Sequence, residues 1–225
     1  MKRTKPQTTT FGKRFYPTPI ERKAEEVIAT CVRIAGLGAI PFPIPVDTWV
    51  ESPLGIGFGV EDLSALGPEV LGAVYIPERQ MVISDRIAHR EERFRFTCAH
   101  ELGHLVLHGG LAVAFRETTD EPGRKDQHEV EADRFAAAFL MPMDEVVRLL
   151  LQIGREHQIE PHLLKPRLLR EHEGRSFIEQ RIVPAMQKRF GVSFSAALCR
   201  VREVVLPDIG PFMSAVRPPV ICLNT

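Results

Sequence analysis

The strongest constraint in this sequence is a pair of histidines four residues apart, His100 and His104, with Glu101 directly after the first. They lie in a run from 91 to 108 that contains no proline. At helical geometry an interval of four sets both imidazoles on one side, one turn apart, so both can address a single cation with a carboxylate between them. At about 100° per residue, His100, Glu101, His104 and His108 share one arc, while Phe94, Cys98, Leu102 and Leu105 occupy the neighbouring one. Such a helix needs a packed scaffold against its apolar stripe and a cleft beside its polar one.

The remaining sequence supplies that scaffold. With 225 residues, 44% of them hydrophobic, the chain suits one large domain or one domain with an appendage. Thr18-Pro19-Ile20-Glu21 reads as a capping box with proline at the first helical position, and Ala24, Val27, Ile28, Cys31 and Ala35 follow at helical spacing. The alternating prolines at 41, 43 and 45 predict an extended path, and Ile56, Phe58 and Val60 a short strand. Residues 70–76 and 81–84, joined by a turn at 77–80, read as a hairpin whose edge an extended peptide could join. A polar loop at 117–125 then leads into a second helix over 127–140, closed by Pro142. The expected fold class is therefore α+β with a small antiparallel sheet.

Residues 144–178 read as helical pieces broken at Gly154, Pro161, Pro166 and Gly174. Over 184–205, two amphipathic stretches flank Gly191-Val192-Ser193 in the outline of a helix-turn-helix. Arg181, Lys188, Arg189, Arg200 and Arg202 against Glu179 and Glu203 leave a local charge of +3, which is slender support for DNA contact. A helical hairpin packed on the core is the commoner meaning of such a pattern. The expected organisation is a basic tail over 1–17, a first domain over 18–142 and a helical region over 143–225.

Composition narrows the partners. Lysine plus arginine equals aspartate plus glutamate at 29 each, so no global field steers the chain to nucleic acid or an anionic membrane. The longest uncharged stretch, 34–46, has 13 residues and three prolines, too short and too broken to span a bilayer. Four scattered cysteines without a C-x-x-C pair fit reduced thiols, so the expected location is cytoplasmic.

A tetrahedral catalytic zinc requires a third protein ligand and an open position. In the second helix Glu129, Asp133, Ala136 and Leu140 share a face, whereas Glu131 falls nearly opposite, beside Arg134 and Ala138. Glu129 is thus the expected third ligand, and Asp133 the acceptor for the far nitrogen of a ligating histidine. Glu131 is expected to be a solvated charge. A structural zinc site would fill all four positions, usually with cysteines, and has no use for Glu101, the expected general base. His108 is expected either to meet the last carbonyls of its helix or to touch substrate. His128 reads equally as a cleft or capping residue, and Tyr75 as a carbonyl polariser or a half-buried strand residue.

Thr97-Cys98-Ala99-His100-Glu101-Leu102-Gly103-His104-Leu105-Val106-Leu107-His108, followed by Glu129-Val130-Glu131-Ala132-Asp133-Arg134-Phe135-Ala136-Ala137-Ala138-Phe139-Leu140-Met141-Pro142, resembles the ImmA/IrrE family of zinc metallopeptidases. The resemblance implies a zincin-like, gluzincin-type core over about residues 20–142, with zinc on His100, His104 and Glu129 and Glu101 as base. It also implies a protein substrate, a helix-turn-helix repressor of the Xre/Cro type, whose cleavage derepresses its genes. Residues 187–193 resemble the helix-turn-helix-like portion that follows the core in relatives, although 144–183 are inserted ahead of it here. The contrasting expectation is a DNA- or partner-binding regulator with a structural or vestigial metal site.

Overall fold

In the computed structural model, which describes residues 17–110, 114–118 and 127–205, the chain enters its first helix at Thr18. The Thr18 hydroxyl accepts the Glu21 backbone N–H at 3.2 Å, and a Glu21 carboxylate oxygen accepts that of Thr18 at 3.0 Å. The capping box thus forms and opens α1 (Pro19–Ile34), whose Ala24, Ile28 and Cys31 are buried. The short α2 (Val46–Glu51) sets Trp49 edge-on against Phe139, with ring centroids 6.2 Å apart.

Four strands follow: β1 (Gly57–Glu61), β2 (Val70–Tyr75), β3 (Gln80–Ser84) and β4 (Ala114–Thr118). They are ordered β1-β3-β2-β4. The hairpin β2–β3 forms with Gly72 opposite Ile83, but the sheet is mixed, because β3 inserts between β2 and β1 and runs parallel to β1. Both hairpin strands are therefore interior, and among the described residues the open edges belong to β1 and β4 instead. β4 pairs with β2 and takes in residues 117–118 of the expected polar loop, while 119–126 lie outside the described residues.

The long helix α3 (Glu91–Leu107) packs on β2 and β3 and, more extensively, on α4 (Gln127–Leu140). On this face of the sheet Met81 and Ile83 join the main core. On the other, Val70 and Val82 form a small cluster with Leu63, against which Leu66 and Tyr75 pack.

Five further helices follow among the described residues: α5 (Met143–Glu156), α6 (Pro161–Leu168), α7 (Glu171–Phe177), α8 (Val183–Phe190) and α9 (Phe194–Val205), with a π-helical turn at Ile178–Ile182. Pro161 begins a helix as its fixed φ favours. The other anticipated breaks do not occur: Gly154, Pro166 and Gly174 lie inside helices. Pro166 interrupts at most one bond of an eight-residue helix, and Gly154 sits where α6 brings Leu164 against α5. Side chains from both sides of Pro142, from Ala24 to Val204, belong to one buried cluster.

The α8–α9 pair turns at Gly191, which adopts the left-handed conformation (φ 62°) that closes a helix at least cost. The Arg95 guanidinium donates to the Gly191 carbonyl at 2.7 Å, pinning this turn to the start of α3. Arg200 faces inward rather than toward solvent: only 4% exposed, it donates to the Met141 carbonyl and pairs with Glu21 at 3.0 Å and Glu203 at 2.9 Å. Arg189 lies over the Phe42 ring at 4.7 Å. Two of the five basic residues counted toward a DNA surface are thus engaged by the protein itself. Among the described residues no helix is long and apolar enough to cross a membrane.

Candidate metal centre

Close contact between α3 and α4 builds the site. A Cβ on Gly103 would stand 3.2 Å from the Ala132 Cα and from the Phe135 Cβ, so the absent side chain sets how near the helices come. The crossing lies beside His104 and one turn from Glu129, and it brings the residues of the two helices together. His100 Nε2 and His104 Nε2 are 3.1 Å apart. The Glu129 carboxylate oxygens stand 3.2 Å from the first and 3.3 Å from the second. Among the described residues these three form the group able to hold a metal ion.

The outer partners of the imidazoles decide what the inner atoms offer. His100 Nδ1 lies 3.0 Å from the Asp133 carboxylate, which can only accept, so the proton resides on Nδ1 and Nε2 presents its lone pair. His104 Nδ1 lies 3.1 Å from His108 Nδ1, and His108 Nε2 lies 3.1 Å from the Glu131 carboxylate. A neutral His108 must donate from Nε2 to that carboxylate, so its Nδ1 accepts from His104, and His104 Nε2 also presents a lone pair. Two lone pairs and a carboxylate then converge with no proton among them. Such acceptors repel one another unless a cation lies between them, and a tetrahedral ion with bonds of about 2.0–2.1 Å spaces its ligands by about 3.3 Å. The donor set fits zinc.

Electrostatics favour a neutral His104 and an ionised Glu129. Burial pushes His104 below the usual imidazole range, with the neighbouring His100 adding to the effect. For Glu129 burial opposes ionisation, but the adjoining imidazoles of His100 and His104 more than offset it and hold the carboxyl far below its ordinary range. His100 and His104 are buried, whereas Glu129 keeps 24% of its side-chain surface and marks the side open to solvent.

Glu101 is fully buried, and it sits against β2 where residue 72 is glycine. Asp133 stands where the helical spacing of α4 put it. Glu131 does not: it is half-buried and accepts from both His108 and Gln127, the latter at 2.8 Å. The reason lies at the end of α3, where His108 leaves helical geometry (φ −114°, ψ 11°) and its ring turns to the first turns of α4. His108 is thus buried between His104 and Glu131, with the half-buried His128 ring edge-on at 4.6 Å. Tyr75 packs with Leu63, Val70 and Val82 on the face of the sheet away from α3, and the structure does not bring it to the site.

Sequence reasoning missed Gly72, Glu131 and β4. A glycine inside the run Val70-Leu71-Gly72-Ala73-Val74 was a signal of close approach by another group. For Glu131 no periodicity argument served, because its partner lies past the helix end. Comparison with curated proteins finds no match. A sequence model of the IrrE N-terminal-like domain, a peptidase family, matches residues 60–202, from β1 into α9, and the chain belongs to this ImmA/IrrE family.

Proposed function

We propose that this protein is a zinc endopeptidase whose substrate is a helix-turn-helix transcriptional repressor. The observation that carries the metal chemistry is the convergence of His100 Nε2, His104 Nε2 and the Glu129 carboxylate within 3.3 Å of one another, each histidine backed by an acceptor that bares its inner nitrogen. His100, His104 and Glu129 would hold the ion. A zinc ion there supplies Lewis acidity, polarising a carbonyl and acidifying water. Glu101 accepts the proton of the attacking water and returns it to the leaving amine. Its burial keeps it out of competing contacts with bulk water, and Asp133 holds the His100 ring in place. The choice of a repressor as substrate is supported by the resemblance of the paired α3 and α4 motifs to the family.

The experiment is intact-mass analysis of a helix-turn-helix repressor encoded beside this gene, after incubation with the zinc-loaded protein and, separately, with Glu101→Gln. Two defined fragments from the wild type and none from the variant are expected. An uncleaved repressor in the presence of protein carrying one zinc would overturn the substrate assignment. Full activity of Glu101→Gln would overturn Glu101 as base.

A further inference from the structure

We propose that His108 and Glu131 are positioning residues, which through the relay Glu131–His108–His104 fix the ring orientation and tautomer in which His104 presents Nε2 to the metal. The inference rests on the metal-site reading above and deepens it. The two ligand histidines are supported differently. His100 leans directly on a carboxylate, Asp133, at 3.0 Å. The outer nitrogen of His104 meets a carboxylate, Glu131, through a second imidazole, by two contacts of 3.1 Å each.

Three features make this relay directional. Glu131 can only accept, so its contact with His108 Nε2 places the proton there and leaves His108 Nδ1 as acceptor. Gln127 donates its side-chain N–H to the other Glu131 oxygen at 2.8 Å, so the terminal carboxylate is itself held. The His108 backbone N–H donates to the His104 carbonyl at 2.9 Å, and the His128 ring packs edge-on against the imidazole, so the middle member is fixed at both ends. Removing the His108 imidazole takes this acceptor from the His104 Nδ1–H. The proton is then at liberty to reside on Nε2, where it blocks ligation.

The test compares wild type, His108→Ala, His108→Asn and Glu131→Gln by zinc affinity in chelator competition and by proton–nitrogen correlation spectra of the histidine-labelled, metal-free proteins. Circular dichroism establishes that each is folded. The wild type should show His104 protonated at Nδ1. In His108→Ala the proton should move toward Nε2 and zinc affinity should fall about 10–100-fold, the scale for loss of an orienting partner. Asparagine places an amide oxygen near the former Nδ1 and should restore most of that affinity, which mere loss of packing would not predict. Should alanine at 108 unfold the protein, Glu131→Gln decides, with a smaller loss of affinity expected. Wild-type affinity and an unmoved tautomer in the folded variants overturn the relay. A wild type that shows the Nδ1-protonated His104 yet binds no zinc overturns the metal-site reading and leaves the relay intact.

Discussion

Gly72 on β2 and Glu101 on α3 touch only because residue 72 has no side chain. A Cβ there would stand 2.6 Å from Glu101 Oε1 and 2.8 Å from the Thr97 methyl carbon, inside any acceptable contact. Gly72→Ala should therefore displace the carboxylate without reaching the proposed metal ligands, which lie on other positions of α3 and on α4. A displacement near 1 Å at a reacting group is worth about 100-fold in rate. The expected outcome is a kcat about 100-fold lower with zinc affinity unchanged, and partial recovery in Gly72→Ala/Glu101→Asp, whose shorter carboxylate vacates the space. Steady-state kinetics beside chelator competition check this, and a wild-type kcat in the single variant would show that Glu101 has room to yield.

Gly103 governs the second spacing. Its absent side chain lets the Ala132 backbone and the Phe135 Cβ come to 3.2 Å of where a methyl would be. Gly103→Ala should push α4 outward and cost about 1–3 kcal/mol, the usual scale for inserting a methyl into a packed contact. Because Glu129 rides on α4, zinc affinity should fall as well. Thermal melts in the presence of chelator isolate the packing loss, and zinc titration reads the second effect. Unchanged values in both would mean that the contact is slack.

How much of this was legible in the sequence follows from the range of the interactions. The capping box at Thr18 and the helical spacing of His100, His104, Glu129 and Asp133 are local, and a 3.6-residue period places them without knowledge of the fold. Glu131 defeated the same arithmetic because its partner His108 lies beyond the last turn of α3, where the period no longer applies. Arg200 was read as part of a basic face, yet its partner Glu21 lies 179 residues away and no local pattern signals such a pairing. For Tyr75 the carbonyl-polarising alternative rests on chemistry alone; the sheet, through the pairing of β2 with β3, determines which face it takes and makes it the half-buried strand residue. The helix breaks misjudged at Gly154, Pro166 and Gly174 are propensity overruled by packing.

The Arg200–Glu21 pair couples α9 to α1. Glu21 uses one carboxylate oxygen for the Thr18 backbone N–H and the other for Arg200, so a capping interaction and a buried ion pair share one side chain. Arg200→Ala leaves the Glu21 charge buried without this partner and should cost about 3–5 kcal/mol. Arg200→Met with Glu21→Gln should recover much of that, since the amide oxygen of glutamine still accepts from Thr18. Urea unfolding monitored by circular dichroism measures both. An Arg200→Ala variant as stable as the wild type would show that water replaces the guanidinium.

Cys31 ties stability to alkaline pH. It sits on the buried face of α1, and burial pushes its thiol up to about 11, whereas an exposed cysteine ionises near about 8.5. Between these values the unfolded chain has released the proton and the native one retains it, so the unfolded state binds fewer protons and unfolding becomes easier as pH rises. Below about 8.5 both states are protonated, and this contribution to stability is fully present. Unfolding free energy measured from pH 8 to 10.5 should therefore fall more steeply in the wild type than in Cys31→Ala. The same burial should protect Cys31 from iodoacetamide at pH 8 until the protein is unfolded in urea. Peptide mass mapping reads that protection directly, and labelling of native Cys31 at the unfolded rate would contradict both expectations at once, because a thiol that meets the reagent also meets water.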